Sequence, residues 1–252
     1  MARAFDLLIV VALAVLAVWL PASGLHRRYR AFFAYLIWAL LRNGALAIPR
    51  PDGQAYYLIW TRTEPLEWLL YVLVVLEIYS LVLEDYRGLA TVGRWTLIVA
   101  VCVALLASGL ALAAPSHYTT QGLVMRYYYV ADRAVYFSLV VFLLTLLGLL
   151  MQYPISLSRN VLLHSVVFSV YFLANTVMFL LLSMRGSEVI GVLRIGFQAT
   201  TLAAVCVWIG LLRPAGELRK QRLRPAWMPG REEELVSQLN HLNAALLRVT
   251  RK

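Results

Sequence analysis

The sequence predicts an all-α integral membrane protein, a bundle of seven transmembrane helices followed by a short amphipathic cytoplasmic helix. Three observations predict it. Of 252 residues, 62% are hydrophobic and 14% charged, with a mean hydropathy of +0.74, which is more apolar side chain than a soluble core of this size can bury. The apolar residues fall into seven runs, each close to the roughly 20 residues that a helix rising about 1.5 Å per residue needs to cross a hydrocarbon core of about 30 Å. The formal charge of +10 is spread between and after those runs, whereas a nucleic-acid-binding surface needs its basic residues gathered on a folded domain.

The runs are 5–20, 31–48, 65–83, 95–113, 127–151, 161–182 and 189–212, which together make a membrane domain over 1–212. Pro21, Pro49, Pro65, Pro115, Pro154 and Pro214 mark their ends, because proline cannot continue a helix into the following turn. The first run is followed by Pro21, Ala22, Ser23 and Gly24, a sequence with the small residues of a signal-cleavage site. Asp6 in the segment before it, and the basic stretch His26 to Arg30 directly after it, favour an uncleaved first span. Lys and Arg divide fifteen to the C-terminal side of the membrane and seven to the other, with Arg133 inside a span. The positive-inside bias then puts the N-terminus outside and the C-terminus in the cytoplasm, in a bacterial inner membrane. Trp19, Trp60, Trp95, Trp208 and Tyr127 to Tyr129 lie near span ends, where interfacial aromatic anchors belong. Cys102 and Cys206 sit mid-run and read as small core residues.

Ionisable residues within spans are costly, so each is a candidate for function. Glu77, His164 and Tyr35 enter spans three, six and two at comparable depth from the cytoplasmic side. Two readings are open: a protonatable site that senses or moves protons, or a Glu77 that hydrogen-bonds a neighbouring helix and fastens the bundle. A second group lies toward the outer face, with Glu67 (and Glu64) opening span three, Asp132 and Arg133 in span five, and Arg194 and Gln198 in span seven. Adjacent helical residues point about 100° apart, so Asp132 and Arg133 take different partners, and Glu67 with Arg133 and Asp132 with Arg194 is one assignment. The group is either a set of packing pairs or an outer polar pocket for a small polar or anionic ligand, lined by Arg133, Arg194 and the Tyr127 to Tyr129 run. Asn175 and Thr176 suit interhelical hydrogen bonds. Arg42, which interrupts the outer end of span two, is read as snorkelling to the interface.

Residues 213–230 form a basic, Pro-containing linker suited to anionic headgroups, with Trp227 as a surface anchor. Residues 231–252 form an amphipathic helix in which Leu235, Leu239, Leu242, Leu246 and Val249 recur at alternating four and three, a seam for self-association, a protein partner or the bilayer surface. Glu232 to Glu234 and Arg248, Arg251 and Lys252 have the signs that the helix dipole favours at its two ends.

No cofactor or metal is expected. Retinal needs a lysine in the last span, and Lys220 and Lys252 are both in the tail. Walker, HExxH, nucleophile-elbow and paired intramembrane aspartate motifs are absent, and no internal repeat of the kind many transporters carry is visible. The Phe33, Ala34, Tyr35 run, the Leu76, Glu77, Ile78, Tyr79 run with Arg87, Gly88, Leu89 after it, and the Asp132 and Arg133 pair resemble those of uncharacterised seven-span proteins of the acidobacterial type. That resemblance implies a seven-span architecture and no catalysis. The expected function is a non-enzymatic sensor or scaffold whose bundle receives a ligand or lipid cue and whose tail helix contacts a partner. The alternative is a small proton-coupled transporter using Glu77 and His164, and a membrane-lipid enzyme is the third reading.

Overall fold

In the first helix the apolar residues cover every face. The computed structural model describes residues 2–49, 53–84, 95, 97–103, 106, 123–152, 156–185, 190–218, 220–222, 237 and 241. Within α1 (Ala2–Ala22), Ile9, Leu13, Leu16 and Leu20, spaced four, three and four, point into the protein, while Leu7, Val11, Val15 and Val18 point out of it. A helix with no polar face has no water-facing side, so lipid is the solvent of the outer stripe. The same division recurs in α5 (Arg159–Arg185), where Val166, Val170, Leu173 and Val177 face outward and Phe168, Tyr171, Phe172 and Asn175 inward.

The remaining long helices are α2 (Arg30–Ala47), α3 (Gln54–Val82), α4 (Leu123–Gln152) and α6 (Ile190–Leu211). Five segments are long and apolar enough to span a membrane: Phe5–Ala22, Gln54–Val82, Tyr127–Gly148, Arg159–Leu182 and Gly191–Leu211. The protein is therefore a helical membrane protein. Each helix packs against its neighbour in sequence, and α6 returns against α1, so the six close into a ring, with α3 also touching α5 across it. In the run 95–113, Trp95, 97–103 and 106 are helical and Leu97 and Val101 are buried; the rest of that run lies outside the described residues.

Two boundaries differ from expectation. The third span does not open at Pro65, because α3 starts at Gln54 and carries Pro65 in its interior, as helix-breaking residues are tolerated within membrane bundles. The start of the predicted linker is ordered onto the bundle. There α7 (Ala215–Leu218) is followed by β2 (Lys220–Arg222), which pairs antiparallel with β1 (Ser156–Ser158) just before α5. Leu157 is buried at this junction, and Gly216 lies so close to the Asn160 side chain that a Cβ would collide with it. The two cysteines are not core residues: Cys102 and Cys206 are both free and exposed on the outer face of their helices, where a small, weakly polar thiol is tolerated by lipid.

Several polar residues inside the ring bond their own helix, whereas both ring nitrogens of His164 and the Trp208 indole nitrogen are buried without a hydrogen-bond partner among the described residues. Ser165, Ser169 and Thr176 each donate to the carbonyl four residues back. Between the ends the interior is aromatic. Rings follow one another from Tyr29 through His164 and Phe32 to Phe168, then Tyr35, Tyr71 and Tyr136 to Phe179, with centroid separations of 4.6 to 6.2 Å.

Candidate functional site

Arg42 sits one turn from the end of α2 and faces α3, the helix next to it in the ring. Its guanidinium forms ion pairs with Glu64 and Glu67, and its Nε donates to Thr63 Oγ1 at 3.0 Å. All three groups are buried, with Arg42 9% and Glu64 3% exposed. The reading of Arg42 as a snorkelling residue is therefore corrected: because α3 extends back to Gln54, Glu64 and Glu67 lie well inside that helix and Arg42 is drawn inward to meet them. A single guanidinium thus serves two carboxylates and a hydroxyl, one from each of its nitrogens, and its charge is already matched by carboxylates.

The polar set reaches further. Tyr71 donates to Glu67 at 2.8 Å, so in its 2.9 Å contact with Tyr171 it accepts, and Tyr171 is the donor. Asp132, fully buried, accepts from Trp68 Nε1 at 2.6 Å and lies against Glu64. Across the ring, Asp6 of α1 pairs with Arg194 of α6 at 3.4 Å and accepts from the Gln198 amide, and the Arg194 guanidinium stands 6.0 Å from the centroid of the Tyr56 ring. Between these walls is a cavity of about 310 Å³. It lies at the bundle end where α1, α3 and α6 begin and α2 and α5 finish. Asp6, Arg42, Glu64, Glu67 and Arg194 supply its charges; Tyr35, Tyr57, Trp60, Tyr129, Tyr171 and Phe197 supply much of its aromatic wall.

The opposite end carries a second polar set. Glu77 accepts from the backbone N–H groups of Ala31 at 2.8 Å and Phe32 at 3.0 Å. It thus caps the first turn of α2, whose N–H groups have no partner within the helix and whose dipole favours a carboxylate. Beside it, Glu217 of α7 accepts from Tyr29 Oη at 2.5 Å and Asn160 Nδ2 at 2.7 Å, and pairs with Arg28 Nε at 2.9 Å. Asn160 Nδ2 also donates to the Arg213 carbonyl at 2.8 Å, and Arg28 reaches Glu84 at 3.3 Å. Burial, with the Glu217 carboxylate next, pushes the Tyr29 phenol above its ordinary value. This latch ties the start of the tail to α5 and to the α1–α2 connection.

The predicted residues are distributed as follows. Glu67, Arg194 and Gln198 line the cavity, with Asp132 buried behind them. Arg133 is half-buried and is not part of the cavity lining. The assignment of Glu67 to Arg133 and Asp132 to Arg194 is corrected: Glu67 pairs with Arg42 of α2 and Arg194 with Asp6 of α1, the helices that α3 and α6 pack against most extensively. Of the Tyr127 to Tyr129 run, Tyr129 alone is in the lining.

Glu77, His164 and Tyr35 do not form one cluster. His164 is boxed by the rings of Tyr29, Phe32, Phe168 and Trp208, while Tyr35 packs tilted against Tyr71 at 5.2 Å and lines the cavity. Sequence reasoning missed Asp6, Arg42, Asn160 and Glu217 as site residues. The signal for Arg42 was present: an arginine near the end of one hairpin helix and two glutamates at matching depth in the next. The tail seam residues Leu235, Leu239, Leu242, Leu246 and Val249 lie outside the described residues, as do Arg224 and Trp227; His241 is helical and exposed. No protein-family model, curated protein or solved structure matches the chain.

Proposed function

We propose that the protein is a non-enzymatic membrane sensor: a small ligand occupies the cavity, and the change in helix packing is passed to the C-terminal tail. The observation that carries this reading is the placement of a charged, aromatic-walled cavity at one end of the bundle and a hydrogen-bonded anchor for the tail at the other, joined by a continuous column of rings. Close-packed interiors shift between discrete arrangements and do not deform smoothly, so occupancy at one end has a route to the other. In full, the architecture is a seven-span bundle in which α2 and the 95–113 run add two crossings to the five apolar spans. The N-terminus and the cavity face the outside of a bacterial inner membrane and the tail is cytoplasmic, in keeping with the acidobacterial-type seven-span proteins that the motifs resemble.

The proton-coupled transporter is disfavoured by Glu77, whose two oxygens are both engaged by backbone donors. The test is in-cell photo-crosslinking from position 242, in the tail seam, with Thr201→Trp introduced to fill the cavity. The expected result is a protein adduct of defined mass whose yield changes with the cavity substitution. No adduct from an inserted chain, or a yield indifferent to the cavity, removes the sensor reading.

A further inference from the structure

We infer that the ligand of this cavity is a small organic ammonium ion, an inference that rests on the sensor reading above and names its substrate class. The cavity walls carry three carboxyl groups, Asp6, Glu64 and Glu67, and two guanidinium groups, Arg42 and Arg194. Directly behind Glu64 lies Asp132, with 0% exposure. Around Arg42 the lining therefore sets one guanidinium against two carboxylates, with the Asp132 carboxyl held against Glu64 behind them. Arg42 is held by Glu64, Glu67 and Thr63, one contact from each of its three nitrogens, and Arg194 is engaged by Asp6. An anionic ligand would meet carboxylates whose cationic partners are already committed, and like charges brought together in a medium of low dielectric repel strongly. A cation would complete the balance, and buried charge in a membrane interior persists only where it is paired.

The walls fit the same ligand. Tyr and Trp rings attract cations over their faces, most strongly where water is excluded, and Arg194 already stands over Tyr56. Tyr57, Trp60 and Tyr129 offer further rings in the lining. The volume of about 310 Å³ is at the small end of ligand pockets, which suits an ammonium group with a few carbons. The strongly hydrated, carbon-free alkali cations gain little from aromatic walls.

The experiment uses the full chain in lipid nanodiscs and follows its thermal unfolding. Probes are ethylammonium and tetramethylammonium chloride, set against potassium chloride, sodium acetate and glycine at equal ionic strength. The expected result is a saturable rise of about 5 °C with an ammonium probe above the potassium control, shifted to several-fold higher concentration by Glu67→Gln. Because Glu67 is buried and its replacement also perturbs folding, Tyr57→Leu, at an exposed position of the lining, serves beside it and should weaken tetramethylammonium several-fold. Stabilisation by acetate or glycine and not by ammonium would overturn the ligand class while leaving the sensor reading standing. Stabilisation by acidification alone would show that protons balance the carboxyl groups, and would overturn the proposal. No response to any probe, with the crosslink at position 242 still governed by Thr201→Trp, would likewise overturn it without touching the sensor reading.

Discussion

Replacing Arg42 with glutamine separates a structural charge from a surface one. The side chain is 9% exposed and its guanidinium holds Glu64, Glu67 and Thr63. Removing one member of a buried ion pair costs about 3–5 kcal/mol because the remaining charge is left without its partner, whereas an exposed pair is worth about 0–1 kcal/mol. Here two carboxylates lose their partner, so the upper part of the range applies. At about 2–4 °C per kcal/mol for a chain of this length, Arg42→Gln should lower the apparent unfolding temperature by about 10 °C or more. The triple variant Arg42→Gln, Glu64→Gln, Glu67→Gln removes the stranded charges together with their partner, and should recover at least half of that loss. The assay is unfolding in detergent micelles, read by loss of the monodisperse species, with circular dichroism confirming helix content before heating. A loss under about 1 kcal/mol for Arg42→Gln, or a triple variant no better than the single one, would refute the reasoning and return Arg42 to the interface.

The other predictions address the latch and the cap. Glu77→Gln keeps one acceptor for the first turn of α2 and should cost about 0.5–1 kcal/mol, against about 1–2 kcal/mol for Glu77→Ala; the same micelle assay checks both, and a Glu77→Gln loss as large as that of Arg42→Gln would mean that more than a cap is being removed. Gly216→Ala drives a methyl group into Asn160 and should cost about 1–3 kcal/mol locally, seen as faster proteolysis near 215–222 with the helices intact; unchanged cleavage would count against a tight junction. Tyr29 titrates above its ordinary value in the folded chain, so its contribution is complete below the unfolded value of about 10 and is lost as pH rises through the folded one. Tail cleavage should therefore accelerate only at strongly alkaline pH, and Tyr29→Phe, which removes the hydrogen bond to Glu217, should raise cleavage at neutral pH. If Tyr29→Phe leaves neutral-pH cleavage untouched, that hydrogen bond does not hold the tail.

Most of the helices were legible because membrane solvent imposes a length and a composition on each of them. Every run from the first to the last, apart from 95–113, corresponds to a helix within a few residues, the exception being the start of α3. Pro65 misled there: its missing N–H normally marks a helix start, and only tertiary context shows the helix running on through it to Gln54. The candidate site was legible as a set of residues and not as a set of pairs. Depth along a helix follows from a rise of about 1.5 Å per residue, which is why Glu67, Asp132, Arg194 and Gln198 were recognised as one layer. Which helices adjoin does not follow from depth, and the ring order made Arg42 and Asp6 the partners. The latch was invisible for a related reason. Glu217 acquires its role only because a four-residue helix and a strand pairing bring it to Tyr29 and Asn160, which are 188 and 57 positions away.

The distribution of polar groups bears on how such a bundle transmits a signal. Among the described residues the charged clusters lie at the two ends, and between them are rings whose edges and faces interlock. Aromatic side chains have few rotamers and large contact areas, so a ring displaced at the cavity moves its neighbour and is not absorbed by flexible chains. Tyr71 is the junction: its hydroxyl joins Glu67 in the cavity wall, while its ring touches Tyr35, Tyr136 and Phe172 in the column. A ligand that draws Glu67 away from Tyr71 frees a buried hydroxyl, which costs about 1–3 kcal/mol unless the ring turns to another acceptor. That is enough to bias two packings of the column that differ by a similar amount. Tyr71→Phe removes the hydroxyl and keeps the ring, so it should leave the helices assembled while uncoupling the tail crosslink from Thr201→Trp. A Tyr71→Phe chain whose crosslink still follows the cavity would mean that the signal travels by rigid helix movement and not through the rings.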